Sequence, residues 1–458
     1  MKLKLFFFLL IVLTVTNIQG QTADTLTLSL EKCRKMALQN SRELRRAENK
    51  VRQAELTRKE MLTHFFPQIE GSAMGLYAKD MDILHSKGDE ISLSLLLRGV
   101  YLCGFQLAQP LFVGGKIANG YKLTKTAEGL AQEQQRQQRA SLLVDVETNY
   151  WTYLAVLGKL DMLTELKLQL DTLLVQVAST VGAGMATDYD LLQVQSAHSN
   201  IVYQLQRVQS GTTLCRLALS HILGVNADSL YILPDSTAIN SALMKALNGI
   251  NNSADISQRP EVRLLQGNVK ISELQVKMAL AEYLPTLGFS LGYTWFGNIK
   301  LHGEMNIEHI GEIRLRNPFY ATYTHEFSSS TPILIAQLKI PLTNWWEGAY
   351  KIKKAKIEVE NSKLLLEENT ELMRLEVKQA ELNLSESHEL IHSASIALRT
   401  AEEQLRIANN RYAAGLAPLS DLFNAQSSYS QAVSNYLESR TQCLIYHVKY
   451  LCATGCLE

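Results

Sequence analysis

Proline is scarce in this chain, 9 residues in 458, and glycine contributes only 25. Long stretches therefore carry no breaker, and long helices are favoured. A surplus of charge is also lacking: 45 lysines and arginines balance 45 acids, which removes the electrostatic footprint of a nucleic-acid binder. Beyond the first twenty residues, no apolar run approaches the roughly 18 residues of a spanning helix. That excludes an inner-membrane helical bundle. The six cysteines, at 33, 103, 215, 443, 452 and 456, are too few and too scattered for a disulfide framework in a chain of this length. With 46% hydrophobic and 20% charged residues, the chain folds rather than staying disordered.

What is present begins with an export signature. Lys2 and Lys4 precede Phe6–Val15, a segment dominated by apolar side chains that is too short to span a bilayer but suits a signal peptide. Residues 1–20 are expected to be removed after Gly20. Cys33 follows Glu31-Lys32 rather than small residues, so no lipid anchor is expected.

The chain also repeats itself. Pro110 matches Pro341, Gly184 matches Gly415, Asp190 matches Asp421 and Gln195 matches Gln426, all at one offset without a gap. The expected organisation is a first repeat over 21–223, a connecting subdomain over 224–258 and a second repeat over 259–458. Each repeat opens with a helix, about Ser29–His64 and Pro260–Tyr283, and then changes period from helical to two. Leu287, Phe289, Leu291, Tyr293 and Trp295 alternate with Gly288, Ser290, Gly292 and Thr294. Phe105 and Leu107, then Ala336 and Leu338, mark returning strands. Such alternation describes a strand between lipid and a wet lumen, or equally a half-buried soluble strand. Residues 78–99 and 297–331 are expected to be long polar outer loops.

An uninterrupted helix is predicted from Lys116 to Val181 and again from Gly348 to Ala414, each about 100 Å long. Ala380, Leu384, Ser387, Ile391, Ala394, Leu398, Ala401, Leu405, Ala408 and Tyr412 keep four-three spacing. Tyr153 to Val181 does the same in the first copy, with Lys167 as its one defect. The returning helices continue the seams through Leu191, Val194, His198 and Ile201, and through Leu422, Ala425, Tyr429 and Ala432. Two long coiled-coil hairpins with short glycine-containing tips follow.

The segments LTLSLEKCRKMALQNSRELRRAENKVRQAEL, FFPQIEG, QPLFVGGK and above all RYAAGLAPLSDLFNAQ at 411–426, with its degenerate copy STVGAGMATDYDLLQVQ at 179–195, make the chain resemble the TolC family of outer-membrane efflux proteins. The resemblance covers nearly all of the chain after the signal segment. It implies an α+β membrane protein, mainly long coiled-coil hairpins forming an α-barrel. Four transmembrane strands per chain would close a twelve-strand barrel in a homotrimer, with 224–258 as its equatorial subdomain. It further implies an exit duct in the outer membrane with a large periplasmic extension. Its partners would be a periplasmic adaptor and an inner-membrane pump of the RND or ABC type. Tyr412, Asp190 and Asp421 stand where the family's gate residues lie, and Gly184 and Gly415 at the tip turns. Ala417 replaces the arginine of the familiar members, and Asn424 replaces their second tip acid. Their inter-chain ion pair is therefore not carried over. Asp190 and Asp421 can also be read as helix caps. A type I protein-secretion duct and a periplasmic coiled-coil scaffold with soluble strands remain as alternatives.

His388-Glu389-Leu390-Ile391-His392 matches the HExxH zinc pattern, yet it sits inside a coiled-coil seam and its repeat partners, Leu157 to Asp161, carry no trace of it. Gly114-Gly115-Lys116 lacks the first glycine of a P-loop. His85, His302, His309 and His325 read as solvated loop residues. No catalytic residue, metal site or cofactor is expected, and no nucleic acid. The chain reads as a duct and not as an enzyme.

Overall fold

The computed structural model describes residues 26–27, 29–85, 91–226, 230–231, 236–247, 256–310, 313–342 and 345–457. The export segment at 1–20 and, within the connecting region at 224–258, residues 227–229, 232–235 and 248–255 lie outside the described residues. The chain forms two compact units. One combines the residues up to Val51 with Ala131–Leu265 and Leu365–Glu458; the other holds Arg52–Leu130 and Gln266–Leu364.

In chain order the elements are β1 (Leu26–Thr27), α1 (Leu30–Asn40), α2 (Arg42–Thr63), β2 (Gln68–Tyr77), β3 (Met81–His85), β4 (Ile91–Leu96), β5 (Arg98–Val113), α3 (Lys116–Gly182) and α4 (Asp188–Leu223). They continue with β6 (Leu230–Tyr231), α5 (Ser236–Leu247), α6 (Pro260–Ala281), β7 (Thr286–Ile310), β8 (Ile313–Lys339), α7 (Glu347–Ala413) and α8 (Leu419–Ala453). Both long helices, α3 and α7, have 67 residues. The single helix expected over 29–64 is two. Ser41 ends α1 with an extended ψ of 120°, and its Oγ accepts from the Leu44 N–H at 3.2 Å to start α2. A serine that can cap the next turn interrupts an otherwise helical run.

In the sheet-bearing unit, β2 and β3 run in line, and so do β4 and β5. The β5 segment Tyr101–Val113 pairs with Thr286–Gly297 of β7, and β4 continues along the same strand, Ile91–Leu96 against Lys300–Met305. The sheet is thus four long antiparallel ribbons in the order β2/β3, β4/β5, β7, β8. At the joint, Gly99 and Asn298 take left-handed backbone, and Asn298 Nδ2 donates to the carbonyls of Arg98 and Gly99 at 2.9 and 3.1 Å. The expected loops at 78–99 and 297–331 are therefore largely strand. Leu301, Met305 and Ile307 alternate with Lys300, His302, Glu304 and Asn306, and the ladder with β8 runs on to Ile310 opposite Ile313.

Register places Ile69, Leu107, Leu291 and Leu334 side by side across all four ribbons. Gly71, Phe105, Tyr293 and Pro332 form the next row on the same face. Phe105, Tyr293 and Trp295 pack ring to ring, with centroids 4.7 to 6.2 Å apart. Among the described residues nothing covers this apolar face: Ile69, Phe105, Leu291 and Leu334 are all exposed, and β2 is exposed along its whole length. The opposite face carries polar pairs such as Gln106 Nε2 to Ser290 Oγ at 2.6 Å. One side of the wall is apolar and uncovered, and the other mixes polar groups such as Gln106 and Ser290 with Met74, Ile333 and Ile335; an apolar outer side is what a barrel strand presents to lipid. No helix among the described residues is long and apolar enough to cross a membrane.

In the helical unit the seams are buried as the heptads require. Leu163, Leu170, Val177, Val194, Leu219 and Leu384 are fully enclosed. Each such side chain contributes roughly 1.5–3 kcal/mol by burial. Leu166 and Leu173 of α3 form a second buried row, so one core cluster joins α3 and α4 to Leu405, Leu419 and Leu422 of the other hairpin. A second cluster gathers Cys33, Val146, Trp151, Leu223, Cys443 and Tyr450, with Ile239 and Leu243 of α5 packed against it. Cys215, also expected on a seam, is half-buried.

Candidate functional site at the hairpin tips

Each hairpin turns on the same backbone device. In the first, Gly184 N–H donates to the Val181 carbonyl and Met185 N–H to the Thr180 carbonyl, both at 2.9 Å. In the second, Gly415 N–H reaches Tyr412 at 2.9 Å and Leu416 N–H reaches Arg411 at 2.8 Å. These are Schellman closures, which need a left-handed residue at the turn; φ is 74° at Gly184 and 71° at Gly415. Both turns leave a large apolar residue facing outward, Met185 at 83% exposure and Leu416 at 72%.

The returning helices start differently. Thr187 caps α4: its hydroxyl receives the Asp190 N–H at 3.3 Å, while the Asp190 carboxylate accepts from the Thr187 N–H at 3.0 Å. Asp190 is thus the third-position partner in a capping box and not the cap itself. The Thr187 hydroxyl and N–H hold its carboxyl below the usual carboxylate range. In the second copy the cap position is Pro418, with no side-chain cap bond. Asp421 therefore has no capping partner and stands exposed on the first turn of α8, with Asn424 exposed one turn on. The spacing Thr187-x-x-Asp190 is itself a capping-box signal, which the gate assignment alone does not reveal.

Tyr412 is half-buried at the end of α7. Burial pushes its phenol up, and the Asp190 charge adds to this. The fold thus brings Tyr412 and Asp190, from different hairpins, within electrostatic reach. Higher on the first hairpin, Lys167 has a partner that its heptad position hides. Its Nζ donates to Asp171 Oδ2 at 2.7 Å, and Asp171 Oδ1 meets His198 Nε2 at 2.7 Å across the seam. The Lys167 hydrogen bond, with a smaller part from His198, keeps the Asp171 carboxyl low.

The HExxH residues do not converge. His388 is half-buried beside α8, whereas Glu389 and His392 face outward. Among the described residues no three potential ligands cluster. His302 and His325 lie on paired strands, not loops.

The sequence matches the family model for outer membrane efflux protein twice, at residues 33–225 and 253–449. The chain belongs to the outer membrane efflux protein family. The uncovered apolar sheet face and the long hairpins are those of an outer-membrane exit duct with a large periplasmic helical part. Solved structures agree in fold. The CmeC channel of Campylobacter jejuni matches with a TM-score of 0.73 at 17% identity, over 94% of this chain and 86% of that one. VceC of Vibrio cholerae gives 0.70 at 13% identity, over 93% and 96%. MtrE of Neisseria gonorrhoeae gives 0.69 at 14%, over 96% and 93%. No curated protein matches the sequence.

Proposed function

We propose that this efflux protein works as a homotrimer whose twelve ribbons close one barrel and whose six hairpin tips form its periplasmic gate. The observation that carries this is the pair of unpaired sheet edges, β2/β3 and β8. Four ribbons cannot enclose a lumen, since about eight strands only just fill a barrel interior. Apolar stripes outside the buried seams support lateral packing of copies. Leu192, Tyr203 and Leu214 recur every eleven residues on α4, and Leu375, Leu382 and Ile396 keep heptad positions on α7, all exposed in the single chain. The scaffold alternative needs a covered sheet face, and β2 is open on both.

In this reading the duct is passive and has no catalytic site of its own. It receives substrates from an RND or ABC pump through an adaptor that engages the tips near Gly184 and Gly415. We take the repeats as 21–223 and 259–458, joined by 224–258. Asp421, Asn424, Tyr412 and Asp190 are assigned to the gate. Planar-bilayer conductance of the purified protein, with its mass in detergent, tests the proposal. Stepwise conductance from a species of three chains is expected; a monomer that neither conducts nor partitions into outer membrane would overturn it.

A further inference from the structure

Where β8 ends and α7 begins, the backbone does something costly. Trp345 and Trp346 are consecutive, both in left-handed backbone at φ 47° and 65°, a conformation that bulky residues rarely adopt. Both rings nevertheless point outward, at 80% and 74% exposure, and Leu342 just before them is 91% exposed. The rings and Leu342 border an apolar hollow of about 600 Å³, shared with Tyr283, Ala349 and Ile352. A run of lysines follows immediately. Lys351 is held by Glu347 at 3.0 Å and Glu282 at 3.5 Å. Lys353, Lys354 and Lys356 are exposed and form no ion pair among the described residues.

Trp346 immediately precedes α7, and helical spacing puts Tyr350 and Lys353 on one face of that helix, at i and i+3, with Lys356 one turn beyond Lys353. Moving away from the sheet, the surface therefore changes from apolar (Leu342) to amphipathic aromatic (Trp345, Trp346, Tyr350) to cationic (Lys353, Lys356). We propose that this segment is a binding site for anionic phospholipid headgroups of the leaflet facing the periplasm. An acyl chain or glycerol backbone would lie in the hollow, the rings would sit at headgroup level, and the phosphate would meet the unpaired lysines. Three arguments commit the face to lipid. It continues the strand end of the uncovered apolar wall. Over Leu342–Lys356 its unpaired charge among the described residues is of one sign, before Glu358 and Glu360 follow, and complements a phosphate. Its order of polarity is that of a water–hydrocarbon boundary, where tryptophan and tyrosine concentrate, while juxtamembrane lysines draw anionic lipid.

The test uses the full-length protein in vesicles of brominated phosphatidylcholine, with or without brominated phosphatidylglycerol, reading tryptophan fluorescence. The Trp345→Phe/Trp346→Phe variant subtracts the signal of the two remaining tryptophans: Trp151, buried in a helical core cluster, and Trp295, which lies on the sheet and reports insertion by itself. The expected result is at least twofold stronger quenching of Trp345 and Trp346 by the anionic lipid. Lys353→Gln/Lys356→Gln should remove that preference and leave conductance unchanged. Equal quenching by both lipids would reduce the face to a neutral anchor and overturn headgroup recognition. Quenching of Trp295 alone would mean that a second copy covers the face, which also overturns the proposal. Loss of quenching at Trp295 too would instead bring down membrane insertion itself.

Discussion

At the scale of single residues, Asp190 and Asp421 occupy matching positions but do different work. Asp190 is tied into a capping box, whereas the Asp421 carboxylate has no partner among the described residues. Three copies of an uncompensated acid around one axis attract cations, and Ala417 supplies no opposing charge. Asp421→Asn is expected to lower cation preference in bilayer recordings by roughly threefold or more, and to relieve block by divalent ions added from the periplasmic side. Asp190→Asn should instead weaken the capping box that starts α4, with a smaller change in selectivity.

A second pair of residues makes the fold sensitive to acid. His388 Nε2 and His447 Nδ1 are enclosed without partners among the described residues. Burial holds both imidazoles below their ordinary range. At His388 the Ala246 carbonyl and the Glu389 charge oppose this, and at His447 the charge of His388 adds to it. The unfolded chain therefore takes up these protons more readily. Stability is complete above the ordinary imidazole value of about 6.5 and is lost as pH falls through the lower folded values. Thermal melting between about pH 7 and about pH 5 should show a declining Tm, and His388→Gln/His447→Gln should flatten that decline.

At the scale of elements, the tip turns separate backbone demand from packing. A side chain at Gly415 would meet open space, so only the left-handed φ constrains it. Gly415→Asn, which tolerates that region, should retain efflux. Gly415→Val should lose it while trimers persist, as drug-accumulation assays and native gels can check. The long helices and their seams were legible because heptad spacing survives in α3, α4, α7 and α8, with Lys167 as its one defect in α3. Strand extent was less so. Lys300, His302 and Glu304 made 297–331 look like loop, although Leu301, Met305 and Ile307 kept period two. The Ser41 break was hidden in a charged helical run. At the tips, motif matching found Asp190 and Asp421, but their contrast rests on Thr187 against Pro418, three residues upstream. The Lys167–Asp171–His198 chain was invisible because it joins two helices whose facing register the sequence does not display.

At the scale of the whole molecule, one chain is an unfinished wall. In the proposed trimer, its open sheet edges and exposed apolar stripes would face other copies. Tyr203→Asp with Leu382→Asp is expected to dissociate the proposed trimer while leaving helical circular dichroism unchanged, because neither residue belongs to a buried seam. Sedimentation in detergent would show the shift from three chains to one.

The unequal starts of α4 and α8 carry over to such an assembly. By symmetry, six tips on one ring must alternate, three braced by Thr187 and Asp190 and three opening on a proline without a side-chain brace. A cap of this kind contributes about 1 kcal/mol, or roughly a fivefold difference in local opening. The ring would then behave as an iris with alternating stiff and soft blades, and the soft blades would move first. Amide hydrogen exchange should accordingly run about fivefold faster across Leu419–Phe423 than across Asp188–Leu192. Thr187→Ala should bring the two rates together.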